Sequence, residues 1–452
     1  MRLGDRYPRV LLVHMPKVRA EDSANLLIRM QFGNWPKDRL AQIFSNESPG
    51  RGEFCDRYYQ LGAPDRIFGR LFMRCRARVA EAVAMEPVTP PSTSHTQELG
   101  QRWAKAVERR AGELLIRSGL WEAAFRIRLS RRMEEFVHGV RPDLIYCSGY
   151  SLAFARLPLL IADKCDVPIC FQTLEDWPSY SYVYSPVGVL LRREARRLIC
   201  RSVLRLAFGE KMKREYEKRY GVPFHATYHL DDVERFRLAA PEQSGETKRV
   251  IFTGSLVLNR HECVEDMVKA IRLLNQEGLR VELEVYCTGV PKEMSEEIRA
   301  AQAVRFLPLP SHDGLPRVLR SADVLFLPEA FSVGAGRLGL AISSKCHLYM
   351  MAERPILAYG PRYSGTMEYA LEQGWALVVQ RRDIGVLADS LRRLLQDKSL
   401  GVKLTSQASG CFNLNHNVTG ARERFEELVA ASVGCSPRCP SRKGSLEVAS
   451  DH

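Results

Sequence analysis

The stretch ISSKCHLYMMAERP, from Ile342 to Pro355, sets two small hydroxyl residues and a lysine at the head of an apolar run of helical character. Ser343 and Ser344 are suited to cap a helix that must stop before Pro355. The N–H groups left free at such a start attract an anion, and Lys345 adds a full positive charge. An ordinary capped helix with a surface lysine fits the same residues. A second pattern of this kind lies upstream in FTGSLVLNR, Phe252 to Arg260, where Gly254 and Ser255 directly follow a strand-like run. A glycine loop offers backbone N–H groups to phosphate oxygens, and Arg260 offers charge unless it is simply a solvated arginine. Carboxylates come together in PICFQTLEDWPSYSY, Pro168 to Tyr182. There Asp176, with Glu175 beside it, would activate or orient a hydroxyl. Asp-Trp-Pro is equally a turn sequence whose acids cap a loop. Trp177, Tyr180, Tyr182 and Tyr184 form an aromatic platform or pack the domain, and His14 stands at the end of the first strand candidate, a common structural position.

The stretch GAGRLG, from Gly334, has the glycine spacing of a dinucleotide-binding turn but not its context. Five residues, Glu329 to Val333, separate it from the strand candidate DVLFLP. About 20 positions on, where an acid should hold the ribose, stands Tyr359. A nicotinamide cofactor is therefore not expected, and the glycines read as a flexible loop beside a cleft.

Short β-branched runs alternate with helical periodicity, the pattern of an α/β protein with largely parallel sheets. Strand candidates in the first half are RVLLVH, LAQIFS, DLIYCS, PICFQT and RLAFG, with helical segments over Ala104 to Phe136 and Val189 to Val203. EPVTPPSTSH, Glu86 to His95, interrupts regular structure. Pro, Gly and charge in AAPEQSGETKR, Ala239 to Arg249, mark a linker, after which VIFTG, a helix from Glu262 to Asn275, LRVELEVYCTG, VRFLPL, DVLFLP, PILAYG and WALVVQ restart the alternation. At 452 residues two domains are expected.

The net charge of +13 attracts anions, from nucleotide phosphates to acidic lipid, without choosing among them. Leu190 to Leu206 carries six arginines at helical spacing, as in a helix lying on an acidic membrane or any surface helix packed on one face. Nucleic acid is not expected, since no helix-turn-helix, zinc finger or aromatic cluster accompanies the charge. The 12 cysteines form no CxxC pair and read as reduced core thiols of a cytoplasmic protein. No signal peptide or membrane span is expected.

SSKCHLYMMAERPILAYGP resembles the segment of GT-B glycosyltransferases, close to family 4, in which a Ser/Thr-Lys pair opens a helix, an aromatic follows, and a strand ending in GP closes the unit. FTGSLVLNR, VRFLPLPSHDGLPRVLRSADVLFLP and FNLNHNVTGARERFEELV are similar to the glycine loop, the following strand-helix-strand passage and the closing helix of the same fold. Together these stretches cover most of residues 249–430. The resemblance implies an α/β GT-B architecture of two Rossmann-like domains facing a central cleft. It implies an acceptor-binding domain over 1–240, a nucleotide-sugar domain over 241–412, a helix crossing back over 413–434 and a loose tail over 435–452.

It further implies a retaining, metal-independent transfer of sugar from a nucleoside-diphosphate donor to a glycan, lipid or small-molecule acceptor, with no cofactor. The donor would lie against Gly254, Ser255, Arg260, Ser344, Lys345, Tyr349 and Gly360, and Asp176 with Glu175 would serve the acceptor. Tyr349 reads equally as a core tyrosine. The chain departs from the family in its paired glutamates, for which Leu340 and Leu348 stand, and in Glu353 at a position normally glycine. Those departures keep open a non-catalytic binding protein, as well as a nucleotide-sugar epimerase of the same form.

Overall fold

A computed structural model describes residues 7–20, 25–47, 51–69, 120, 123, 126–181, 185–237, 245–311 and 313–433. Its central strands are short apolar runs buried on both faces, which is what parallel sheets covered by helices require. The first domain runs β1 (Val10–Val13), α1 (Leu26–Gln31), β2 (Leu40–Phe44), β3 (Arg57–Gln60), α2 (Arg131–Val140), β4 (Leu144–Cys147) and α3 (Leu152–Cys165). It continues with β5 (Ile169–Thr173), α4 (Trp177–Tyr180), α5 (Pro186–Arg201), β6 (Leu204–Phe208), α6 (Gly209–Tyr220) and β7 (His225–Thr227). These strands form one seven-stranded sheet in the order β3-β2-β1-β4-β5-β6-β7. Every neighbouring pair in it is parallel.

After α7 (Glu234–Arg237) come β8 (Lys248–Thr253), α8 (Arg260–Gln276), β9 (Val281–Cys287), α9 (Glu296–Arg299), β10 (Val304–Pro308) and α10 (Leu315–Arg320). The domain is completed by β11 (Val324–Pro328), α11 (Ala335–Leu338), α12 (Lys345–Met351), β12 (Ile356–Tyr359), α13 (Gly365–Gln373), β13 (Leu377–Val379), α14 (Ile384–Gln396) and α15 (Lys398–Asn415). Its six-stranded parallel sheet has the order β10-β9-β8-β11-β12-β13. In each sheet the strand order reverses at one place, between β1 and β4 and between β8 and β11. Such switch points open a crevice beyond the strands' carboxyl ends, where α/β proteins bind ligands.

The last helix, α16 (Val418–Ser432), crosses back to the first domain. Phe425 packs against Phe32 with ring centroids 5.0 Å apart, and Phe32 in turn meets Trp35 and Tyr146. Arg422 donates to the Met30 carbonyl at 2.7 Å, and Asn34 donates to Glu426 at 2.9 Å. The two crossings between domains touch one another: Asp231 and Asn417 form a parallel bridge, and His416 Nδ1 lies 2.7 Å from the His229 carbonyl oxygen.

Two elements differ from the sequence-based expectation. GAGRLG is a helical turn, α11, rather than an open loop, with Gly334 as its N-cap. Arg205 belongs to β6 and not to the arginine-rich helix; its guanidinium donates to the Ile199 and Cys200 carbonyls at the end of α5. The edge strands β3 and β7 were not anticipated, since RYYQ and HAT lack a long apolar run. Glu86 to His95, most of the first helical segment, Tyr182, Tyr184, part of the linker and the C-terminal tail lie outside the described residues. All nine described cysteines are free, most of them buried. No helix among the described residues is long and apolar enough to cross a membrane.

Candidate functional site

The crevice of the second domain is built around a close approach. Gly254 follows β8 at φ +128°, a conformation that L side chains rarely adopt. A Cβ at Gly254 would lie 2.4 Å from Lys345 Cε and 3.1 Å from Nζ. Glycine is thus what lets the lysine cross the loop. The Lys345 ammonium also lies 5.5 Å from the centre of the Phe252 ring. Burial first, and then the nearby Arg260 charge, lowers the Lys345 pKa to about 8, while Glu329 acts in the opposite direction.

Arg260 opens α8 and is only 12% exposed. Its Nη2 donates to Glu329 Oε2 at 3.0 Å, and Glu329 is itself 3% exposed at the end of β11. Thr366 donates to the other Glu329 oxygen at 3.3 Å and accepts from the Ser343 N–H at 2.9 Å. A continuous set of contacts therefore links the start of α8 to the residues before α12. Sequence reasoning met Glu329 only as the residue after DVLFLP, and missed Thr366. Nothing local marks either residue, because their partners are far away in the chain.

The remaining donor-side candidates divide by role. Ser344 is the N-cap of α12, but its side chain makes no cap hydrogen bond; Ser343 Oγ instead accepts from the Lys345 N–H at 3.4 Å. Tyr349 is fully buried and its hydroxyl accepts from the Thr253 N–H at 3.0 Å, so it anchors the strand end from which the glycine loop leaves. Ser255 Oγ accepts from the Val257 N–H at 3.3 Å. A Cβ at Gly360 would come within 2.9 Å of Glu329 Cβ and its carbonyl oxygen, so that glycine serves the packing of β12 against Glu329.

Between the domains lies a cavity of about 680 Å³, bounded by the strand ends of the first domain and by α10 and α12 of the second. Glu175 lines it and is exposed, with its carboxylate accepting from the Tyr180 hydroxyl. Asp176 turns elsewhere: it is 8% exposed, paired with Arg219 at 2.7 Å, and accepts from the Tyr216 hydroxyl at 2.9 Å. The two adjacent acids thus have separate surroundings. His14 Nε2 lies 2.9 Å from Asn25 Oδ1 on the same cavity wall. At the floor, His347 Nε2 is 3.7 Å from Asp231 Oδ2, and burial lowers the pKa of the neighbouring His229 to about 4. Leu348, which stands for one of the family's paired glutamates, lines this cavity. Among the described residues no group of three or more His, Cys, Asp or Glu is arranged to hold a metal ion.

Residues 247–397 match the family described as glycosyl transferases group 1. That match lies within the second domain. No curated protein matches the chain. Among solved structures, HepE of Anabaena, in complex with UDP and glucose, superposes with a TM-score of 0.57 at 12% identity, covering 94% of this chain and 100% of that one. The α,α-trehalose 6-phosphate synthase of Burkholderia multivorans gives 0.58 at 13% identity, covering 97% and 100%. The sucrose-phosphate synthase of Thermosynechococcus elongatus gives 0.57 at 11%, covering 94% and 98%. With the two doubly wound sheets, these likenesses establish the GT-B fold over nearly the whole chain.

Proposed function

We propose that this GT-B protein takes a sugar from a nucleoside-diphosphate donor held by its second domain and passes it to a hydroxyl held by its first. The observation that carries this reading is the Lys345 ammonium packed across Gly254, with Arg260 close by, at the switch point of a group 1 glycosyl transferase domain. In the transfer, the acceptor oxygen bonds the anomeric carbon as that carbon's bond to a phosphate oxygen breaks; the electron pair goes to the phosphate, which takes up the hydroxyl proton. Lys345 and Arg260 are placed to stabilise that charge, so the reading needs no metal.

Glu175, with its carboxylate on the cavity, is the group proposed to orient the acceptor hydroxyl; Asp176 supports that wall through Arg219. Retention of anomeric configuration is proposed from the resemblance to family 4. HepE structures in complex with UDP and UDP-glucose make UDP the first nucleotide to test. Calorimetry should detect UDP binding, and Lys345→Ala and Arg260→Ala should each weaken it about ten-fold or more, the scale of a lost charge-assisted hydrogen bond. Full affinity and turnover in both variants would remove the assignment. Leu348 in place of the anticipated glutamate favours a second reading, a binding protein without transfer. UDP binding without consumption of any nucleotide sugar would select it.

A further inference from the structure

The chain carries 66 lysines and arginines, yet none lines the interdomain cavity among the described residues. Its fixed charges there are the carboxylates Glu175 and Asp231. Of the three lining histidines, His229 is held neutral by burial, His347 sits beside Asp231, and His14 lies against Asn25 Oδ1. Much of the wall is apolar, from Met15, Leu27, Leu174 and Trp177 on the first domain to Leu315 and Leu348 on the second. Trp177 is set in place by the backbone, since a Cβ at Gly149 would fall 2.5 Å from its ring. Its indole N–H is buried and makes no hydrogen bond among the described residues, so the ring lends this wall shape and not a donor. Arg337 of α11 reaches the neighbourhood, where its guanidinium lies 5.8 Å from the centre of the Tyr180 ring.

We propose that the acceptor taken by this cavity is an uncharged alcohol or saccharide presenting an apolar face, and that phosphorylated acceptors are excluded. The proposal rests on the transferase reading and adds the acceptor class. A phosphate monoester would exchange its hydration for a wall that offers carboxylates and hydrocarbon, which disfavours it. A neutral saccharide loses much less, because its C–H face packs on leucine and aromatic surface while its hydroxyls find Glu175 and Ser344. Lys345 and Arg260 stand instead on the donor side, where a diphosphate needs them.

The test uses the full chain and two titrations. UDP alone reports on the donor reading. Then, with UDP present, p-nitrophenyl glycosides of glucose, galactose, mannose and N-acetylglucosamine are compared with the 6-phosphates of the same sugars by ligand-observed NMR and calorimetry. The expected result is binding of at least one neutral glycoside about ten-fold or more tighter than its sugar phosphate, the effect of one unfavourable charge contact. Leu174→Arg should narrow or reverse that ratio, and Arg337→Ala, which removes a cation beside the Tyr180 ring, should widen it. Sugar phosphates that bind as well as or better than the glycosides, or no binding by either set, would overturn the acceptor class even if UDP binds. Failure of UDP to bind would instead overturn the donor reading, while the glycoside comparison, repeated without UDP, still decides the acceptor class.

Discussion

Both sheets turn the carboxyl ends of their central strands toward ligand crevices, but they furnish those ends differently. On the second domain, β8, β11 and β12 run out into Gly254, Glu329 and Gly360, and the space is taken by Lys345 and by a buried Arg260–Glu329 pair. On the first, β5 runs out into Leu174 and Glu175, with aromatic rings and leucines around them. One rim is charged and tightly packed, whereas the other is open and mostly apolar. In the proposed transfer, full charge develops on the leaving phosphate, and preorganised cations are most effective there. The hydroxyl that attacks is neutral until it reacts and needs orientation more than charge. The contrast between the rims follows that division of labour.

The contrast can be broken by matched substitutions. The largest effect is expected from Gly254→Ala, which must strain a positive-φ backbone and displace Lys345 together. Strain and a lost charged contact should lower UDP affinity about thirty-fold or more by calorimetry. Glu175→Ala, on the other rim, should leave it within about two-fold, the level of a group that makes no nucleotide contact. Equal losses in both would show that the rims do not divide donor from acceptor.

A smaller effect should follow pH. Lys345 is cationic below its pKa of about 8 and neutral above it, so UDP affinity should fall as pH rises through that value. Between pH 7 and 9.5 the expected loss is about ten-fold, with bound diphosphate moving the midpoint upward. Lys345→Ala should flatten this part of the profile. The smallest effect on the nucleotide should come from Asp176→Asn. Loss of the charged contact to the partly exposed Arg219 should cost about 1–2 kcal/mol. That should appear as a drop of a few degrees in melting temperature, with UDP affinity unchanged.

The sheet architecture was legible because its central strands are continuous apolar runs, and VLLV, LAQIF, LIYC and ICFQT could each be read locally. The short edge strands carry no such signal. Gly254 and Lys345 were legible as separate motifs, but their contact was not, since it joins two loops distant in sequence. Tyr349 shares a helical face with Lys345 in sequence terms, yet the sequence does not tell that its hydroxyl turns inward to the Thr253 N–H. Glu175 and Asp176 look interchangeable as adjacent acids. Only the arrival of Arg219 and Tyr216 on Asp176 separates them.

The return of α16 gives the first domain a boundary that no single cut in the chain can reproduce. Phe425 completes an aromatic cluster with Phe32, Trp35 and Tyr146, and truncating such a buried ring typically costs about 3–5 kcal/mol. A fragment ending at the linker would leave that cluster uncovered. During synthesis, the first domain therefore acquires its full set of core contacts only after the second has been made. The two halves are separate in architecture but joined in assembly, and the last helix is what completes the first.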